Sequence, residues 1–389
     1  MTASRPSLFY SKIFYFCFYA GAAALLPFLV LFYNKLGLSG RQIGVLASIP
    51  PMLLLISAPL WGVLADTFRR HKFIMSITTA GTIILAFVIS QTTTFILLVP
   101  IVAVYALFAA PIIPLMDDTV LTLLADWKNQ YGRQRVWGAI GWGLSAPIIG
   151  YLIERNDLQW AFLGYAGFMF IGLLILQKIT FPRVDTKEPF WHGVRVFLSN
   201  RTWLLFLFLV FAGGAGQAVI FNYLFLYMND MGASKTMMGF ALTFATISEL
   251  PVFFFSNRLL SRWSAKSLFV FATAVYIIRA MALSFVTVPW IILITQLFHG
   301  LTFSVMWVAG VAYANEIAPP GYGAIAQGLL SGVFMGVATA SGTLLGGILY
   351  QDFGGAIMYR TIAIGVAVSM FIYLIFSWWF KQRERLTSL

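Results

Sequence analysis

Asp117, Arg135, Glu249, Arg279 and His299 stand in, or at the mouth of, long apolar stretches, and their side-chain types decide what chemistry is open to the chain. A carboxylate accepts hydrogen bonds or carries a proton, a guanidinium only donates, and an imidazole does either. In hydrocarbon an ionisable group costs about 2.5 to 3.5 kcal/mol on insertion scales, so each one needs a partner or a wet cavity. Such a set suits reversible binding of a polar solute and of protons. An alternative from a different class, a membrane enzyme acting on lipid-linked substrates, would need a nucleophile, base or metal set near one interface. The histidines His71, His192 and His299 are widely separated, Cys17 is the one cysteine, and there is neither a Cys/His ligand cluster nor a glycine-rich phosphate loop beside a strand. No enzyme activity, metal, cofactor or disulfide is expected.

Spacing relates these groups in depth. Two apolar runs turn around Asp126 to Gly132, with Asp117 nine residues before Asp126 and Arg135 nine after it, so acid and base can lie at similar depth and attract. Asp118 is one step, roughly 100° of helix, from Asp117, so at most one of them faces a pathway, and Asp117 is the candidate. Arg133 reads as an anchor at the membrane surface. Farther on, Glu249 lies nine residues before Arg258, ~13 Å at helical rise, with Pro251 loosening the backbone beside it. His299 lies nine residues past Trp290, again ~13 Å deep, and Arg279 lies somewhat deeper than Glu249. Acid, base and imidazole thus converge, although Arg279 could serve only as a counter-charge and His299 only as a packing donor. Trp142 is the better-placed of two tryptophans, with Trp137, to cover an apolar solute face. The glycines at 336, 342, 346 and 347 favour close helix contact rather than chemistry.

The elements that must hold these groups follow from composition. The chain has 389 residues, 60% hydrophobic and 10% charged, with mean hydropathy +0.87, far from the ~25% charged residues of a soluble domain. Crossing ~30 Å of hydrocarbon takes about 20 apolar residues of helix. Twelve such runs occur, at roughly 8–33, 43–65, 73–92, 96–125, 134–153, 158–180, 202–228, 236–257, 267–286, 289–314, 323–350 and 358–380. The first is longer than a signal-peptide core and reads as a spanning helix. Short alternating segments of a β-barrel are not seen. The fold class is all-α integral membrane, with twelve transmembrane helices in two six-helix bundles. The charged connection from Pro182 to Arg201 divides the runs six and six, giving expected halves of 1–190 and 191–389.

The net charge of +12 is explained by orientation. Nineteen of the 25 Lys and Arg fall at the termini and the even-numbered connections, while Lys35, Arg41, Arg155, Lys235 and Arg360 fall on the other side. The positive-inside rule then puts both termini in the cytoplasm of a multi-pass protein of the inner (plasma) membrane. A nucleic-acid partner is not needed.

Two motifs bear a resemblance. Gly62-Val-Leu-Ala-Asp66-Thr-Phe-Arg69-Arg70-His-Lys72 resembles the cytoplasmic loop signature of the major facilitator superfamily. There the glycine lets helices approach, and the acid with its basic neighbours latches the inner gate, which makes Gly62, Asp66, Arg69 and Arg70 candidate gate residues. Pro114-Leu-Met-Asp117 followed by Tyr131-Gly-Arg133-Gln-Arg135-Val-Trp137-Gly-Ala-Ile-Gly141-Trp142-Gly is similar to the branch holding lactose permease, nucleoside permeases and phenylpropionate permeases. The order of Glu249, Arg279 and His299 extends the likeness over the whole chain. The resemblance implies a sugar-site acid and arginine at Asp117 and Arg135, a stacking tryptophan at Trp142, a second-half carboxylate at Glu249, and proton-coupling roles at Arg279 and His299. Thr302 stands where lactose permease has its proton-carrying carboxylate, and a hydroxyl cannot take that role. Asp117 is one methylene shorter than the matching glutamate, and Ala139 replaces a substrate-adjacent cysteine, so galactoside specificity is not inherited.

The expectation is therefore a secondary active transporter, a proton-coupled importer of a small polar organic solute (a sugar, oligosaccharide or nucleoside) working by alternating access. Asp117, Arg135, Trp142, Glu249 and His299 would bind the solute; Glu249, Arg279 and His299 would couple protons, with Glu249 the carrier. The expected partners are the solute, protons and the lipid bilayer, for a chain acting as a monomer. An uncoupled facilitator or an exporter of the same fold is the alternative.

Overall fold

The computed structural model describes residues 4–68, 70–181, 197, 199–319 and 322–387. The expected half boundary at 190/191 and Arg69 lie outside the described residues, and so does the side chain of Asp66. The described backbone is helical, with no β-strand among those residues. In chain order the helices are α1 (Ser4–Lys35), α2 (Gly40–Phe68), α3 (His71–Gln91), α4 (Phe95–Ala109), α5 (Ile112–Leu124), α6 (Tyr131–Arg155) and α7 (Gln159–Leu176). They continue with α8 (Arg201–Asp230), α9 (Lys235–Phe254), α10 (Ser256–Arg262), α11 (Ala265–Leu283), α12 (Pro289–Gln296), α13 (Val305–Glu316), α14 (Gly323–Ser331) and α15 (Thr339–Thr387).

Among the described residues, eleven helical segments are long and apolar enough to cross a membrane. The last, Ile325–Phe380, has 56 residues and would be ~84 Å long if straight, far more than one bilayer. It turns at Gly354, whose φ of 77° and ψ of 170° end one crossing and begin the next. Twelve crossings result. Wide π-helical stretches interrupt two of them, at Gly300–Ser304 and Gly332–Ala338. The fourth crossing is divided between α4 and α5 at Pro111, which has no N–H for the carbonyl of Leu107 four residues back. That carbonyl is not left bare. Ser57 Oγ at 2.7 Å and Trp61 Nε1 at 2.9 Å, both on α2, donate to it, meeting the demand that backbone groups in lipid be satisfied internally.

The chain divides into two compact units. The first comprises Met1–Lys187 together with Phe225–Thr246, and the second Glu188–Leu224 together with Ile247–Leu389. Helices α8 and α9 thus each supply a segment to both units.

In the first unit α1 lies against α6 and α7 and buries Tyr15, Ala20, Ala23, Ala24, Leu25 and Phe28. Lipid tails give no hydrophobic drive between helices, so contact depends on close backbone approach. Gly141 of α6 provides it: a Cβ there would overlap the carbonyl of Phe16. Beside it Ser145 Oγ donates to the Ala20 carbonyl at 2.9 Å and Ser11 Oγ to Gln134 Oε1 at 3.2 Å. In the second unit Trp203, Phe206, Phe269 and Tyr313 form an aromatic core, with Phe206 edge-on to Tyr313 at 4.9 Å between ring centres. Gly300 there lies directly against the Ser248 carbonyl, and its N–H donates to Ser248 Oγ at 2.9 Å, clamping α9 to the start of the π-helical turn.

Replacing Gly141 by Ala should force α1 and α6 apart and lower stability by about 1 to 3 kcal/mol, the usual cost of overpacking. Gly167→Ala, where an added Cβ meets nothing within 4 Å, should not. Thermal unfolding of the two purified variants checks the difference.

Candidate functional site

Each unit assembles one cluster of ionisable groups. In the first, Arg135 on α6 places Nη1 at 3.1 Å from Asp117 Oδ1 and 3.4 Å from Oδ2 on α5. The Tyr15 hydroxyl on α1 donates to Asp117 Oδ1 at 2.5 Å, and the Tyr131 hydroxyl is also within hydrogen-bonding reach of that carboxylate. The guanidinium carbon lies 4.9 Å from the centre of the Tyr19 ring and 5.6 Å from that of Tyr15, an arrangement that holds a cation by the ring quadrupole. The pair keeps partial access, with 36% of the Arg135 side chain and 25% of the Asp117 side chain exposed. One guanidinium nitrogen, Nη1, holds the acid, and a guanidinium has further N–H groups with which to meet a solute oxygen. Trp142, half-buried, is seven residues from Arg135 on α6, two helical turns along the same face.

Asp118 and Arg133 are exposed. Sequence reasoning gave no role to Tyr15, Tyr19 and Tyr131, because an uncharged hydroxyl does not stand out as an ionised group does. A signal was present: Ser11, Tyr15 and Tyr19 recur every four residues and make a hydroxyl stripe on one face of α1.

The second cluster is centred on Arg279 of α11, which is 3% exposed. Its Nη2 donates to Gln296 Oε1 at 2.7 Å, and its Nη1 lies 3.0 Å from Thr302 Oγ1 and 3.0 Å from His299 Nδ1. His299 Nε2 is 3.0 Å from Glu249 Oε1. Arg279 does not bond Glu249 directly; His299 stands between them. A guanidinium can only donate, so the Nδ1 it meets is an acceptor and the ring proton sits on Nε2, aimed at the carboxylate. The imidazole is neutral in this arrangement, and Arg279 and Glu249 balance each other through it.

Thr302 Oγ1 accepts from Arg279 and its hydroxyl donates a hydrogen bond to the His299 carbonyl at 3.0 Å. It fills a hydrogen-bonding place without adding charge. The π-helical turn at Gly300–Ser304 follows His299 directly, and the widened helix lets His299 and Thr302 both reach one guanidinium. Phe303 stacks on the His299 ring at 5.5 Å and 12°, fixing its plane. Gln296, also missed from sequence, lies one turn before His299 on the same face.

Of the proposed inner-gate residues, Gly62 and Arg70 have described surroundings. Gly62 on α2 has open space where a side chain would be, and Arg70 is exposed ahead of α3, with no side-chain cap bond to it. No group of three or more His, Cys, Asp or Glu able to hold a metal occurs among the described residues.

Comparison with known proteins agrees with this architecture. The MFS_1 like family matches residues 8–361, and the chain belongs to that family of the major facilitator superfamily. It is 26% identical over 344 residues to the uncharacterized transporter YwbF of Bacillus subtilis (strain 168), a match covering 87% of this chain and 86% of that protein. It is 25% identical over 387 residues to the maltose permease of Geobacillus stearothermophilus, covering 98% and 96%. The crystal structure of the nucleoside transporter NupG superposes with a TM-score of 0.84 at 17% identity, covering 96% of this chain and 99% of that one. The chain is a multi-pass membrane transporter of the permease type.

Two outcomes test the geometry. In a double-mutant cycle on thermal stability, Asp117→Asn and Arg135→Gln should be non-additive by on the order of 1 kcal/mol, since each removes the same contact; simple additivity would contradict it. Nitrogen NMR of the ring, assigned by the signal lost in His299→Gln, should show a protonated Nε2 and a bare Nδ1 at neutral pH. A doubly protonated ring would rule out the neutral bridge.

Proposed function

We propose that the protein is a proton-coupled importer of a small hydroxyl-bearing solute, a sugar, oligosaccharide or nucleoside, working by alternating access of its two six-helix halves, 1–190 and 191–389. It acts as a monomer in the plasma membrane with both termini cytoplasmic. The relatives named for maltose and for nucleosides support a solute of this class. Arg135 donates to solute oxygens through N–H groups not used on Asp117, Asp117 and Glu249 accept from hydroxyls or amines, and Trp142 covers an apolar face. His299, bonded to Glu249, orients that carboxylate.

The observation that carries the coupling is the position of His299, 3.0 Å from Arg279 on one ring nitrogen and 3.0 Å from Glu249 on the other. While Arg279 donates to Nδ1, the three groups together are uncharged. If Arg279 swings away in the other state of the cycle, Nδ1 is freed and a net negative carboxylate–imidazole pair remains in a medium that charges for isolated ions. Taking up one proton restores neutrality. The two states then differ by one bound proton, which links proton movement to conformation. Without a carboxylate at Thr302, Glu249 is the carrier. Thr302 also favours a second reading, an uncoupled facilitator or exporter with the same solute site, because it satisfies Arg279 without a titratable group.

Uptake into proteoliposomes decides between them. An imposed inward proton gradient should drive accumulation of a solute first identified by thermal stabilisation on a panel of sugars and nucleosides. Glu249→Gln should retain solute exchange and lose gradient-driven accumulation. Uptake indifferent to the gradient would leave the facilitator reading.

A further inference from the structure

Away from both ionisable clusters, the first unit buries a set of hydroxyl groups drawn from four helices. Tyr33 of α1, Thr79 and Thr82 of α3, Tyr105 of α4 and Tyr165 of α7 are each at most 5% exposed. The helices that carry them are packed together, α1 against α7 and α3 against both α4 and α7. Thr82 lies nine residues, ~13 Å, from the end of α3 at Gln91. The group therefore sits in the hydrocarbon layer, where a bare hydroxyl finds no solvent.

Three of the hydroxyls form a relay. Tyr105 donates to the Tyr165 oxygen at 3.3 Å. Tyr165 and Thr82 are within hydrogen-bonding reach of each other. Thr82 donates to the Thr79 carbonyl at 2.8 Å, so its one proton is spent and it meets Tyr165 as an acceptor. The protons thus run from α4 through α7 to α3, and the oxygen that begins the relay, on Tyr105, can still accept.

Two hydroxyls stand outside it. Among the described residues, Tyr33 Oη and Thr79 Oγ1 have no hydrogen-bonding partner, although both residues are 0% exposed. Tyr33 is near enough to Tyr105 to act on it electrostatically, yet the two are not bonded, a separation that a bridging molecule spans. Thr79 is one turn before Thr82 on the same face of α3.

We propose that an internal water molecule is bound among Tyr33, Thr79 and Tyr105, accepting from Tyr33 and donating to Tyr105. Water suits these groups because it accepts and donates at once, and a few polar partners are what an ordered internal water takes. A cation would sit among hydroxyls with no carboxylate in the group to balance it. The water completes a hydrogen-bonded path from α1 through α4 and α7 to α3, and so ties the four helices into one body.

Radiolytic hydroxyl labelling of the purified full chain in nanodiscs, read by mass spectrometry, tests this. A short X-ray pulse makes radicals from bound water and modifies buried side chains that lie beside it. Tyr33 and Tyr105 should be modified faster than Tyr223, which is also 0% exposed but whose hydroxyl is already bonded to the Thr343 carbonyl at 2.7 Å. Tyr33→Phe, which keeps the ring, should lose the excess labelling at Tyr105 and lower the melting temperature by about 1 to 3 °C. Labelling of Tyr33 and Tyr105 no faster than that of Tyr223 would overturn the proposal. So would a melting temperature of Tyr33→Phe at or above the parent's, the behaviour of a hydroxyl buried dry. Melting should be the same in sodium chloride and choline chloride, and a sodium-specific stabilisation abolished in Tyr33→Phe would assign the site to a cation instead. Labelling of the parent needs no variant, so it decides the outcome if Tyr33→Phe fails to fold.

Discussion

A charge or an unpaired backbone group in hydrocarbon has no water to fall back on, and much of the described structure can be derived from that one constraint. Arg279 is almost wholly buried and is accordingly met by Gln296, Thr302 and His299. Asp117 gathers Arg135, Tyr15 and Tyr131 around one carboxylate. Two of the helix prolines, Pro111 and Pro147, obey the same constraint. Pro111 and Pro147 each strip a carbonyl of its helical donor, and in both cases a hydroxyl or indole on a neighbouring helix supplies a new one. At these two places the broken helix is joined to its neighbour by the replacement donor.

The two clusters solve their electrostatics differently, and the difference bears on function. Asp117 and Arg135 are in direct contact and partly exposed, so a polar solute can compete for them. Arg279 and Glu249 are kept apart by a neutral ring, and their balance depends on the position of one long side chain. The first arrangement is suited to recognition, the second to a two-state switch. Thr302 fits this division, since a neutral acceptor steadies Arg279 without competing with Glu249 for a proton.

Glycine and other small residues do the complementary work. Where Gly141 meets α1 and Gly300 meets α9, backbones touch without intervening side chains, which fixes helix rotation and so the direction in which Arg135 and His299 project. The seam of α6 and α9 uses the same device, with Gly239 against the carbonyl of Ala146 and Gly150 against that of Lys235.

Composition and hydropathy alone determined that the chain is a bundle of spanning helices, and the ends of the runs fell close to those of the observed helices, except that the last helix continues past 380 to Thr387. The intramembrane ionisable groups were legible for the same reason: against an apolar background each one stands out, and nine-residue offsets give depth. Helix rotation was not legible. A helix that is apolar all round carries no moment to say which face meets its neighbours, so Tyr15 and Tyr19 were not singled out. Contact between Tyr15 and Asp117 joins positions 102 apart in sequence, and no local pattern encodes it. Tertiary structure alone decided that His299 lies between Arg279 and Glu249 rather than beside them, that the helix widens at Gly300–Ser304, and that residues 225–246 group with the first unit. Each depends on pairwise fit between helices, which is set by the joint shape of two surfaces and cannot be read from either one.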